Sequence, residues 1–219
     1  MTTRLYFSPG ACSFVPHVLL ENAGATFEPV VVKLHKGEQY GDAYKTISPR
    51  SQVPVLVTGG TVITQILAIV TYVNDQYPAM GYLPADPMEK AKALETLAWM
   101  NNTVHPTFTH IFMPHKFTDK PELHDELKRH STALYALHMA DLESLAGAMQ
   151  LAGRAYLVAD KLGPLDAYTL TLLRWGSIAG IDPTGYPVAW AHVQRIAALP
   201  AVARVIERER LQLNLYKSA

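Results

Sequence analysis

Over the first eighty residues the spacing of apolar positions switches repeatedly between strand and helix periods. "TRLYFS" (3–8) is a short β-rich run, and "FVPHVLLENAG" (14–24) has helical spacing that ends at Gly24, a natural residue just past a helix C-terminus. "FEPVVVKL" (27–34) is β-branched and strand-like, while "VPVLVT" (53–58) and "TVITQ" (61–65) flank Gly59-Gly60, a hairpin signal. "ILAIVTYVNDQY" (66–77) returns to helical spacing. The order β-α-β, an irregular or helical piece, then β-β-α predicts an α/β domain with a mixed sheet. Residues 78–88, "PAMGYLPADPM", are rich in proline and read as a linker. Beyond them the pattern is helical throughout, with long helices over 89–112 and 122–150 and shorter ones around 164–179, 187–198 and 200–211. In the longest, Leu123, Leu127, His130, Leu134, Leu137, Leu142 and Leu145 recur at spacings of mostly three or four. The fold class is therefore α/β plus all-α, with an α/β domain over 1–79 and an all-helical domain over 88–219.

The chain has 219 residues, 49% hydrophobic and 17% charged, enough for one large core or two modest ones. Nineteen basic residues balance nineteen acidic ones, so neither nucleic acid nor an acidic membrane is an expected partner. No apolar run reaches the roughly 18 residues of a membrane-spanning helix, and the first twenty residues do not read as a signal peptide. A single cysteine excludes an internal disulfide and fits a reducing compartment, so the expected location is cytoplasmic.

That cysteine, in "SPGACSFVPHVLLE" (8–21), is the first candidate for chemistry. Proline is tolerated in the first turn of a helix, so Pro16 sets the helix start within a few residues before it. Ser13 is a good N-cap candidate, and Cys12 then lies at the helix N-terminus, where unpaired N–H groups and the dipole favour a thiolate. Against this stands the ordinary role of a lone cysteine as a small core residue. The second feature is Gln52-Val53-Pro54, where a proline opens an apolar strand. A cis bond there would turn the Val53 backbone out of the sheet to pair with an extended peptide. The third is Thr64-Gln65-Ile66, where strand passes to helix. The helix N–H groups and Gln65 can hold a carboxylate, although capping by Thr64 explains the same residues. His105, His110 and His115 are spaced by five, which scatters them around a helix, so no metal site is expected.

In this order and spacing the features resemble the bacterial beta-class glutathione transferases over nearly the whole chain. "PGACS" is similar to the class's cysteine segment, "SPRSQVPVL" to its Asn-Pro-x-Gly-Gln-Val-Pro segment, and "VITQILAIVTYV" to its strand-to-helix turn. "TVHPTF", "LDAYTLTLLRW" and "RIAALPAV" resemble its helical domain. The resemblance implies a thioredoxin-like first domain with a cis proline, a homodimer, and glutathione as co-substrate bound in the cleft without a metal. It places Cys12, with Ser13 as an alternative donor, at the glutathione sulfur and His105 near the thiol or the second substrate. Gln52, Val53 and Pro54 would hold the cysteinyl unit, Gln65 and the N–H at Ile66 the γ-glutamyl end, and Lys36 the glycyl carboxylate. Asp166 belongs to a capping box in which Gly163-Pro164 stands where the family has Ser or Thr.

The implied activity is conjugation of glutathione to small hydrophobic electrophiles in a detoxifying role, with thiol–disulfide exchange through Cys12 as a second chemistry. The electrophile pocket is expected around "HPTFTHIFM" and Trp175. Two departures stand out. Ile66 replaces the small or hydroxylated residue usual in its turn, removing a hydrogen bond worth roughly 1.5–3 kcal/mol and bringing a branched side chain to the site. Ala98 stands where many members have asparagine, with Asn101 and Asn102 nearby. The alternative reading is a binding or regulatory protein, or a specialised pathway enzyme, with a degenerate glutathione site.

Overall fold

The computed structural model describes residues 2–158 and 160–218. Strands β1 (Arg4–Phe7), β2 (Glu28–Val31), β3 (Val55–Thr58) and β4 (Thr61–Thr64) form one sheet of order β2-β1-β3-β4. β1 pairs parallel with β2, Arg4 opposite Glu28, and antiparallel with β3, Arg4 opposite Val57. Helix α1 (Phe14–Asn22) makes the β1–β2 crossover, and the short α2 (Asp42–Lys45) lies before β3. Helix α3 (Ile66–Gln76) closes the unit. This is the mixed sheet of a thioredoxin-like domain. Its turns follow from their glycines. Gly59 and Gly60 both take positive φ (56° and 82°), as a two-residue hairpin requires. At the end of α1 the N–H of Ala25 reaches the Leu20 carbonyl and that of Gly24 the Glu21 carbonyl, satisfying the last turn.

Alternation along the strands puts Leu5, Phe7 and Leu56 on one face, where they pack with Val15, Val18, Leu19, Ile69, Val70 and Val73 of α1 and α3. The strand expected over 27–34 ends at Val31, and Leu34–Lys36 forms a 3₁₀ turn instead. The proline-rich stretch is no loose linker. Tyr82 is buried in the core and donates to the Leu19 carbonyl at 2.6 Å, while Asp86 caps the next helix from Pro87.

The remainder is helical: α4 (Pro87–Trp99), a π turn (Met100–Val104), α5 (His105–Phe112), α6 (His124–Leu151), α7 (Pro164–Ile178), α8 (Pro187–Ala197) and α9 (Pro200–Glu209). α7 is the centre of this layer, buried over nearly its whole length against its neighbours. α6 buries Ser131, Tyr135, Met139, Leu142, Ala146 and Met149, so of the row that marks it in the sequence Leu142 is buried while Leu123, Leu134 and Leu137 are exposed, Leu137 at 62%. The reason is close approach: a side chain at Gly176 of α7 would meet Met139, so the two helices meet along small and flexible residues. The capping box survives the Gly163 change, because Asp166 accepts from the N–H of Gly163 at 2.8 Å and of Leu157 at 3.0 Å.

Candidate active site

The loop between β1 and α1 is held from both sides. Gly10 takes φ +70° and donates its N–H to Glu209 Oε2 at 2.8 Å, while its carbonyl accepts from Trp175 Nε1 at 2.8 Å. A Cβ at Gly10 would lie 2.7 Å from the Arg174 guanidinium, so only glycine suits both the backbone and the space. Ser13 stands at the N-cap position of α1 yet makes no side-chain cap. Its fully buried hydroxyl donates to the Ser8 carbonyl and accepts from the Ser8 N–H, which ties the loop to itself.

Cys12 is 7% exposed and its Sγ donates to the Val53 carbonyl at 3.5 Å. Burial pushes its thiol up to about 12, and the N–H groups of residues 12 and 13 offset only part of that. The thiolate favoured by position alone is therefore not formed at neutral pH. Desolvation outweighs the helix terminus. Cys12 is a neutral donor.

The opposite wall is the segment before β3. The Val53–Pro54 bond is cis. The carbonyl of Gln52 accepts from the Tyr44 hydroxyl at 2.8 Å and the Ser48 hydroxyl at 3.0 Å, leaving its side chain exposed. Pro54 is buried and Val53 half-buried. At the start of α3 the N-cap residue is Gln65, not Thr64, with φ +72°, ψ 130° and no side-chain cap, so the first N–H groups of the helix have no side-chain partner. Ile66 turns inward, 2% exposed in the main core, and so does not project into the cleft as its sequence position suggested. Lys36 sits exposed on the turn after β2.

From the helical domain, His105 opens α5 with its Nδ1 2.9 Å from the Tyr168 hydroxyl and its ring edge-on to Trp175 at 4.7 Å between centroids. Phe108 stacks on Trp175 at 4.6 Å between centroids, and Phe112 stacks on Phe108 at 5.6 Å. Burial, with a smaller contribution from the Lys116 charge, pushes His105 down to about 4, so it is neutral at pH 7. Trp175 thus joins the β1–α1 loop to His105, its indole N–H on the Gly10 carbonyl and its ring edge-on to the imidazole. Among the described residues no group of three or more side chains could hold a metal ion.

Residues 1–75 match the family model of the glutathione S-transferase N-terminal domain. The glutathione S-transferase GstA of Escherichia coli O157:H7 is 30% identical over 217 residues, spanning 95% of this chain and 100% of that protein. The chain belongs to the glutathione S-transferase family. Among solved glutathione S-transferases, a sphingomonad protein complexed with glutathione superposes with a TM-score of 0.80 at 32% identity, over 95% of this chain and 100% of that one. The bacterial beta-class glutathione S-transferase of Sphingomonas chungbukensis superposes at 0.81 with 29% identity, over 95% and 100%. This glutathione S-transferase accordingly stands with the bacterial beta class. In it, no helix among the described residues is long and apolar enough to cross a membrane.

Tyr168, Glu209 and His17 escaped the sequence reading. Tyr168 and Trp175 are seven apart on α7 and so share a face, a signal present in "DAYTLTLLRW". His17 and Glu209 carry no such signal, being 192 positions apart, yet their side chains meet at 2.7 Å.

Proposed function

We infer that this chain binds reduced glutathione between residues 1–79 and 88–219 and transfers its sulfur to small hydrophobic electrophiles. The observation that carries the reading is that Trp175 ties the loop carrying Cys12, through the Gly10 carbonyl, to the neutral His105 ring, while the Cys12 thiol lies on the carbonyl of the cis Val53–Pro54 segment and the start of α3 is left uncapped. The γ-glutamyl carboxylate takes the N–H groups at the start of α3 beside Gln65, and the cysteinyl N–H takes the Val53 carbonyl. That second bond displaces the Cys12 S–H from Val53 and frees it to donate to the glutathione sulfur, stabilising the thiolate that attacks. Gln52 and Pro54 shape this segment, and Lys36 offers a cation for the glycyl carboxylate. Ser13 serves by fixing the loop. The stacked row Trp175, Phe108 and Phe112 receives an aromatic electrophile. The apolar groove of Leu67, Tyr72, Leu94 and Ala98 between α3 and α4 suits the homodimer expected of such a protein, which would work in the cytoplasm in a detoxifying role.

Calorimetric titration with reduced glutathione near pH 7 tests the reading. Binding at one site per chain, from micromolar to low millimolar, together with conjugation of an aromatic halide, is expected. No heat at several millimolar would overturn it. The lost hydroxyl at Ile66 favours the alternative, a cleft adapted to another ligand, and Ile66→Thr separates the two. Because the side chain is buried, glutathione affinity is expected to change less than about tenfold, or ~1.4 kcal/mol. A much larger gain would favour the adapted cleft.

A further inference from the structure

We propose that Asn101 and Tyr168 are positioning residues that hold His105 in its Nδ1–H tautomer, leaving the Nε2 lone pair as the proton acceptor of the cleft. The argument is a count of protons along one chain of side chains. Tyr168 is wholly buried, and burial holds its phenol well above its ordinary range, so it always carries a single proton. Two groups compete for that proton: Asn101 Oδ1 at 3.3 Å and His105 Nδ1 at 2.9 Å. Asn101 spends its amide nitrogen on Asn102 Oδ1 at 2.8 Å, which turns its oxygen toward Tyr168. An amide oxygen only accepts, so the phenol must donate to it. If the phenol donated to His105 instead, the Asn101 oxygen would face the phenol oxygen with no proton between them. The phenol oxygen is then the acceptor of the shorter contact, and Nδ1–H of His105 is its donor. A neutral imidazole has one N–H, so Nε2 is bare.

Two more observations fit. Nε2 has no hydrogen-bond partner among the described residues and is absent from their sealed, unpaired polar atoms, so it remains reachable. The π turn brings the relay into place: Pro106 offers no N–H to the turn before it, and the N–H of His105 reaches back to the Met100 carbonyl, five residues away.

The step rests on the glutathione reading above. The glutathione S–H proton passes to Nε2, and the thiolate so formed, held by the Cys12 S–H, makes the bond to the electrophile. The leaving group departs with its bonding pair, and the imidazolium returns the proton to it or to water, so nothing is oxidised or reduced.

The test is the ¹⁵N spectrum of the histidine rings in the unliganded protein, which reports the tautomer whether or not glutathione binds. His105 is expected as Nδ1–H in the native protein and in Asn101→Asp, which keeps the acceptor. In Asn101→Ala the phenol is released to donate to Nδ1, and the ring is expected to move to Nε2–H, with kcat/KM falling about 10- to 100-fold. The glutathione KM is expected to stay unchanged. Nε2–H in the native protein, or no change of tautomer in Asn101→Ala, overturns the proposal. The expected tautomers with no glutathione binding would sink the functional reading and leave this one standing.

Discussion

Cys12 carries two opposing influences, and their sizes decide its chemistry. A helix N-terminus supplies up to about 1–2 kcal/mol toward the anion, whereas a thiol pushed up to about 12 reflects a larger desolvation cost. The position of the cysteine was legible from Pro16 and the glycine before it, but its burial was not, because Val53 and Tyr168, which lie beside it, come from distant parts of the chain. A consequence for thiol–disulfide exchange follows. With so small a thiolate fraction, mixed-disulfide formation with oxidised glutathione should be slow at pH 7 and rise about tenfold per pH unit from 7 to 9. Stopped-flow rates that level off below pH 8 would show a thiolate already formed. Ile66 teaches the same lesson: its missing hydroxyl could be read from the sequence, but the direction of its side chain depends on the φ +72° of Gln65 before it.

At the scale of elements, periodicity located the helices but did not decide their buried faces. The leucine row of α6 has the right spacing, yet α7 packs through Gly176 against Met139 and Tyr135 and leaves Leu134 and Leu137 exposed. Periodicity also ran straight through residues 89–112, where the structure interrupts α-helix with a π turn before His105. The signal was Pro106, whose missing N–H forbids an ordinary ladder. Replacing it with alanine restores the donor. Pro106→Ala is expected to leave stability unchanged or raised by up to about 1–3 kcal/mol, because the regular ladder can close. Conjugation is expected to fall at least tenfold, because His105 would rotate off Tyr168 and Trp175. Denaturant unfolding and steady-state kinetics on the one variant check both halves, and unchanged kinetics would show that the π turn does not position the ring.

Across the whole molecule, the last helix reaches back to the loop that carries Cys12. Glu209 is fully buried, with one oxygen on His17 Nδ1 at 2.7 Å and the other on the N–H of Gly10. Arg208 completes the chain, donating to His17 Nε2 at 3.1 Å and to Glu21. Nothing local in the sequence marks such a pairing. Removing one partner of a buried, hydrogen-bonded pair costs about 3–5 kcal/mol, so Glu209→Ala should lower the thermal midpoint by roughly 6–20 °C. A loss under about 1 kcal/mol by denaturant titration would show the contact to be incidental to stability.

That arrangement also orders events during synthesis. Gly10 is made early, but the carboxylate that fixes it arrives 199 positions later. At about 5–20 residues per second the loop around Cys12 must wait roughly 10–40 s for its last tether. A ribosome-bound chain stalled before Glu209 can therefore fold its sheet and still lack the tether of the loop around Cys12, which forms only after Glu209 has been made.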